Sequence, residues 1–128
     1  MLKVGDYVRT KSGEIAKIDE CKGKDKVYKN MEHYETDRMV TKFNNFILYK
    51  EDIKKSSPNI IDLIEVGDYV NGYKVLFAGA ITWDNDGNVI DKRVEINYDG
   101  YDRWLSEDFI KSIVTREQFE SMEYKVGE

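Results

Sequence analysis

The sequence predicts a mainly β protein made of two small tandem barrel units, each followed by a short helix. Three observations carry that prediction. First, Val4-Gly5-Asp6-Tyr7-Val8 returns as Val66-Gly67-Asp68-Tyr69-Val70 and divides the 128 residues almost in half. Second, Glu51-Asp52 before Ile53-Lys54-Lys55-Ser56 returns as Glu107-Asp108 before Phe109-Ile110-Lys111-Ser112, the second copy being six residues shorter in its middle. Third, short apolar segments between these anchors are punctuated by Gly, Asn and Asp, which is how tightly turned antiparallel strands read. A repeat fixes the unit of folding, and a unit of about sixty residues is near the lower size at which a domain folds alone. The expected organisation is a first unit at 1–57, a linker helix at 58–63, a second unit at 64–114, and a C-terminal short helix and tail at 115–128.

In the first unit, Val4 to Thr10 reads as a strand with Val8 inward and Tyr7 and Arg9 outward, by the period of two. Lys11-Ser12-Gly13 is a hairpin turn, with Gly free to take positive φ. Glu14 to Asp19 is a strand whose blurred alternation suggests a bulge, and Cys21 to Lys26 is a charged loop around Gly23. Val27 to Tyr34 reads equally as strand or as a helical turn. Arg38 to Phe43 is a strand, Asn44-Asn45 a two-residue turn and Phe46 to Tyr49 its partner, since Asn tolerates the left-handed conformation. Glu51-Asp52 turns the chain into a last short strand from Ile53. Ser57-Pro58 starts the linker helix: Ser caps free N–H groups and Pro suits the first helical position. Ile60, Ile61 and Ile64 are expected to cover an open end of the unit.

The second unit has clearer strands. Tyr73 to Trp83 places Tyr73, Val75, Phe77, Gly79, Ile81 and Trp83 on one face. Asp84 to Gly87 is the turn, and Val89 to Tyr98 puts Ile90, Val94, Ile96 and Tyr98 together. Asp99-Gly100 is a strong type I′ signal leading into Tyr101 to Leu105. Thr115 with Gln118 forms a capping box, and Val114 with Phe119 a hydrophobic staple, opening a helix from Arg116 to about Met122.

About five short strands per unit, with a tight turn before the last, outline an SH3-like barrel. The opening Val4-Gly5-Asp6-Tyr7-Val8-Arg9 resembles the start of SH3-like modules of the KOW and Tudor type. The stretch from Ser56 to Val75 and the end Ile110-Lys111-Ser112-Ile113-Val114-Thr115-Arg116-Glu117-Gln118-Phe119 resemble uncharacterised phage and prophage proteins of low-GC Gram-positive bacteria. That resemblance brings no catalytic role with it. The span from Glu20 to Asn45 matches neither.

Composition narrows the function classes. At 41% apolar and 35% charged residues, with one Pro and nine Gly, the chain has enough for a core and little that favours disorder. No run of eighteen apolar residues offers a membrane span, and the opening residues lack the apolar core of a signal peptide. Cys21 is the only cysteine, so no internal disulfide forms; a cytoplasmic setting in a bacterial host is expected. Charge is uneven. Residues 1–63 carry 13 basic and 11 acidic side chains, residues 64–128 carry 7 and 14.

Each chemical motif has a plainer reading beside it. Asp84-Asn85-Asp86-Gly87-Asn88 echoes a calcium loop, but the bidentate Glu would fall on Glu95, mid-strand, so a hairpin turn is favoured. His33 is the only histidine, without the partners a general base or metal ligand needs. No phosphate-binding glycine loop is present, and no metal or cofactor is expected. Lys22, Lys24, Lys26 and Lys29 are interleaved with Asp25 and near Glu32, which favours a solvated loop over a phosphate contact. Tyr98, Tyr101 and Trp104 surround Asp99, Gly100 and Asp102. Such rings could cage a methylated cation or anchor an interface. Core filling is favoured for Tyr98 and Trp104, and Tyr101 is left open.

The expected function is therefore non-enzymatic: a phage or mobile-element binding protein that occludes a macromolecule with a basic surface, an anti-CRISPR-like inhibitor of a bacterial defence system being one form. The alternatives are a KOW-type nucleic-acid-binding module and, behind it, a small-molecule sequestering protein. The candidate partner-binding residues are Asp84, Asp86, Asp99, Tyr101 and Asp102, all at or beside hairpin turns. On one shared end of the unit, these turns would form an acidic edge anchored by Tyr101.

Overall fold

The computed structural model describes residues 2–27, 30–38, 46–123 and 126–127. Its chain divides into two compact units, Met1–Leu63 and Ile64–Glu128, each holding one five-stranded antiparallel sheet. In the first unit the strands are β1 (Tyr7–Thr10), β2 (Ile15–Asp25), β3 (Met31–Thr36), β4 (Ile47–Tyr49) and β5 (Ile53–Ser57). In the second they are β6 (Tyr69–Val70), β7 (Tyr73–Trp83), β8 (Val89–Tyr98), β9 (Tyr101–Leu105) and β10 (Ile113–Val114), followed by helix α1 (Arg116–Ser121). The sheet orders β4-β3-β2-β1-β5 and β9-β8-β7-β6-β10 are the same path through space. A 3-10 turn sits at the same place in both, Lys50–Asp52 before β5 and Glu107–Phe109 after β9.

The repeated pentapeptide builds one local structure twice. Gly5 and Gly67 both have φ 94, a conformation that only glycine adopts without strain. Asp6 Oδ2 accepts the Lys3 N–H at 3.1 Å, and Asp68 Oδ2 accepts the Glu65 N–H at 2.7 Å. The Asp6 carbonyl accepts the Ile18 N–H and the Asp68 carbonyl the Val75 N–H, both at 2.8 Å. Each turn is thereby stitched to its next strand, and Val8 and Val70, two residues on, are fully buried. In the first unit Val8 packs with Ala16, Ile18, Tyr34 and Leu48, with Leu2 and Ile53 at the margin. In the second, Val70, Val75, Val94 and Ile96 are buried.

Several elements depart from the expected reading. Arg9 does not point outward. It is fully buried, and its Nη1 donates to the Leu63 carbonyl at 2.9 Å, so the guanidinium holds the chain end of the first unit. Register with β5 and β2 is unbroken from Tyr7 to Arg9, so Arg9 still alternates with Val8; its face is buried because the segment ending at Leu63 covers it. The expected charged loop at Cys21 to Lys26 is instead strand as far as Asp25, paired with β3 through two bulges. The strand expected at Arg38 to Phe43 begins with a bend at Arg38; the rest, with the Asn44-Asn45 turn, lies outside the described residues. β4 pairs with β3. The linker helix is a 3-10 turn at Ile60–Leu63, whose buried residues are Ile61 and Leu63, with Ile60 only half-buried. α1 carries the expected capping box between Thr115 and Gln118.

Asn71-Gly72 is a further hairpin turn. Asn71 (φ 53) and Gly72 (φ 87) join Val70 to its partner Tyr73, as a type I′ turn requires. The Asn71 side chain also donates to the Phe109 carbonyl and accepts the Lys111 and Ser112 N–H groups. It thus fixes the approach to β10.

Asp68 is the more heavily used of the two repeated aspartates, since its Oδ1 also accepts the Arg116 N–H at 2.9 Å. Asp68→Ala strands two N–H groups and is expected to lower stability by about 2–4 kcal/mol in urea denaturation. A loss below about 0.5 kcal/mol would show that water replaces the carboxylate.

Candidate functional site

The candidate residues lie on the meander β7-β8-β9, and its geometry separates them. Consecutive antiparallel hairpins that share a strand place their turns at opposite ends of it. Asp84 and Asp86 lie in the β7–β8 turn, whereas Asp99, Tyr101 and Asp102 lie at the β8–β9 turn. The ten residues of β8 stand between them, roughly 30 Å at strand rise. The two turns therefore do not form one acidic edge.

The β7–β8 turn uses its first acid internally. Asp84 Oδ1 accepts the Asp86 and Asn88 N–H groups at 2.9 Å, and Oδ2 faces the Asn88 amide at 3.3 Å. The Asn88 backbone N–H, foremost among these donors, holds the Asp84 carboxyl below its ordinary 3.8. Asp84 is thus a turn former. Glu95, the calcium-loop candidate, lies mid-strand opposite Phe77 and Trp104. Among the described residues no group of three or more His, Cys, Asp or Glu is placed to hold a metal.

The β8–β9 turn is the type I′ turn expected, with Asp99 at φ 50, Gly100 at φ 91 and the Gly100 N–H bound to Asn97 Oδ1 at 2.9 Å. Its register is unbroken: Tyr98 faces Tyr101, Asn97 faces Asp102, Ile96 faces Arg103, Glu95 faces Trp104. Residues paired across strands share a face, and neighbours along a strand alternate. Tyr98 and Tyr101 therefore share the face of the buried Val94 and Ile96, while Asp102 and Trp104 belong to the opposite, outer face. The three rings do not converge on one cage. Tyr98 packs on Tyr73 with centroids 4.7 Å apart, and the Arg103 guanidinium lies 4.9 Å from the Tyr98 centroid. Burial, then Tyr98 and Asp99, push the Tyr73 phenol up. Tyr101 remains 77% exposed.

Trp104 is not the core residue expected. It is 47% exposed and meets Phe77 at 5.6 Å, edge to face. Phe77 reaches that side because β7 bulges between Val75 and Phe77, which takes Phe77 off the Val75 face. The alternating run from Tyr73 to Trp83 consequently does not share one face. Sequence period alone could not show this, because a bulge resets alternation without changing composition.

No family model, no curated protein and no solved structure matches the chain.

The first unit places its candidates on β2 and β3. His33 Nδ1 lies 2.9 Å from the Gly23 carbonyl, and its ring stacks on Tyr49 at 5.9 Å. That is a structural setting for the chain's one histidine. Cys21 is exposed, with Sγ 3.8 Å from the Leu2 carbonyl. Lys22 is paired with Glu20 and Glu35, and the Glu35 hydrogen bond leads in raising its pKa. Lys24 and Lys26 are exposed on the β2–β3 arm, and Lys29 lies outside the described residues. No helix among the described residues is long and apolar enough to cross a membrane.

Two pH effects follow. Asp84 has its native pKa lowered, so its contribution is present above the ordinary value and is lost as pH falls through the native one. Asp84→Ala is expected to melt earlier at neutral pH, with the gap closing in acid; a gap that persists in strong acid would refute the carboxylate's role. Tyr34 is the opposite case. Burial, then Glu32, push its phenol up to about 12. Its contribution is present below the ordinary 10.0 and is lost as pH rises through about 12. Phenolate absorbance should show a late-titrating component near 12 that disappears in Tyr34→Phe.

Proposed function

We propose that the protein is a non-enzymatic tandem SH3-like binding protein whose second unit occludes a macromolecule with a basic surface. The two matching strand orders, each with a 3-10 turn between its fourth and fifth strands, support the SH3-like reading. Barrels of this kind host many functions, so the fold by itself carries none of them. The observation that carries the proposal is Tyr101, largely exposed at a hairpin turn beside Asp99, with Asp102 next along the strand on the other face of the same hairpin. A large exposed ring at the tip of a hairpin that carries acid at its turn and on its other face suits an interface anchor with acidic surroundings. The acidic balance of residues 64–128 extends the same field.

The partner class that best fits is a nucleic-acid-handling protein of a bacterial defence system, met by a phage or mobile-element protein. The support is the resemblance of the segments at Ser56 to Val75 and Ile110 to Phe119 to phage and prophage proteins. An acidic surface competes for the basic groove that such a protein offers to phosphate.

The test is capture from a Gram-positive bacterial lysate, followed by association kinetics with the captured protein. Asp99→Lys with Asp102→Lys is expected to slow association about tenfold at low salt, with dissociation little changed, because rim charges act on the on-rate. Rates unchanged by the double reversal would sink the proposal. Capture that nuclease treatment abolishes would favour a nucleic-acid-binding module instead.

A further inference from the structure

We infer that the outer face of β7, β8 and β9 carries a second contact patch, Phe77, Glu95 and Trp104, which takes an arginine side chain of a polypeptide partner. The inference rests on the reading that the second unit binds a protein with a basic surface. The three residues face one another across three strands, Phe77 opposite Glu95 and Glu95 opposite Trp104. Their outer strands are about 10 Å apart in backbone, yet the two ring centroids approach to 5.6 Å. Both rings therefore lean over β8, on the side of Glu95.

The patch is held in place and partly open. A Cβ on Gly79 would come 3.5 Å from Phe77 Cζ, so the ring lies against the glycine on one side and Trp104 on the other. Even so, Phe77 is 39% exposed and Trp104 47%. The edge-to-face arrangement, at 62°, leaves ring surface uncovered by its partner. Among the described residues no hydrogen bond or ion pair engages the Glu95 carboxylate.

Charge selects the occupant. Of the cations on this face, Arg93 is neutralised by Asp91 at 2.9 Å and Lys74 lies toward the β6 end of β7, on the far side of the bulge from Phe77; Arg103 belongs to the opposite face. Asp102 adds a second negative charge two residues from Trp104. A cation is favoured and a phosphate backbone disfavoured. Between cations, guanidinium suits an aromatic surface beside a carboxylate better than ammonium does. It stacks on rings, forms paired hydrogen bonds to carboxylate and is more weakly hydrated.

The experiment titrates the isotope-labelled full chain with a short Gly-Arg repeat peptide and its Gly-Lys counterpart at low salt. Amide and indole resonances of Phe77, Glu95 and Trp104 are expected to shift, with the Arg peptide bound about fivefold more tightly. Glu95→Gln and Phe77→Leu are each expected to weaken the Arg peptide about tenfold, with the remaining spectrum unchanged. Equal affinity for the two peptides, or shifts confined to the turn at 99–102, would overturn the patch and leave the proposed function standing. Unchanged affinity in Glu95→Gln would do the same. Absence of any shift in residues 64–128 with either peptide would remove both. A single-stranded oligonucleotide that shifted Trp104 would replace the arginine occupant.

Discussion

The structure depends on a buried carboxylate at the mouth of each sheet. Asp6 and Asp68 lie inside the turn that precedes the first strand of their unit, and each takes the N–H three residues before it. A buried charge is tolerated when it is hydrogen-bonded, and left unpaired it is costly. The aspartate therefore ties the approach segment to the strand entry, while glycine at φ 94 provides the bend. With the entry fixed, Val8 and Val70 can only face inward. One short sequence is retained twice because it solves the same local problem twice.

Just beyond that shared clamp the two units differ in the residue after the repeated valine. Where the first has Arg9, buried and bound to the Leu63 carbonyl, the second has Asn71, in a left-handed turn. Both hold a distant segment by hydrogen bonds from the side chain to that segment's backbone, but with different reach. Arg9 secures the 3-10 turn at Ile60–Leu63, and Asn71 secures the approach to β10. α1 is secured separately, by Asp68 at its first turn, by Arg116 paired to Glu65 at 2.8 Å, and by Phe119 stacked on Tyr69 at 4.6 Å.

The candidate surfaces follow from the meander. A strand shared by two hairpins separates their turns, so acids that look adjacent in composition are divided between two ends. Unbroken alternation on β9 then divides Tyr101 from Asp102 and Trp104. The outer face instead carries an aromatic pair drawn from strands that flank β8, with a carboxylate between them.

The sequence shows on its own the repeat, the mainly β class, the ends of β7, β8 and β9, the Asp99-Gly100 turn and the Thr115 cap. These rest on local chemistry: glycine and asparagine conformations, capping oxygens and the period of two. It also held, unread, the Asn71-Gly72 turn and the opposite placement of the two acidic turns. Only the tertiary structure decided the burial of Arg9, the strand at Cys21 to Asp25, and the exposure of Trp104 beside Phe77. Each of these depends on a bulge or on contact with a segment distant in sequence. A bulge shifts register by one residue and so sends every later side chain to the other face, at no visible cost in sequence pattern.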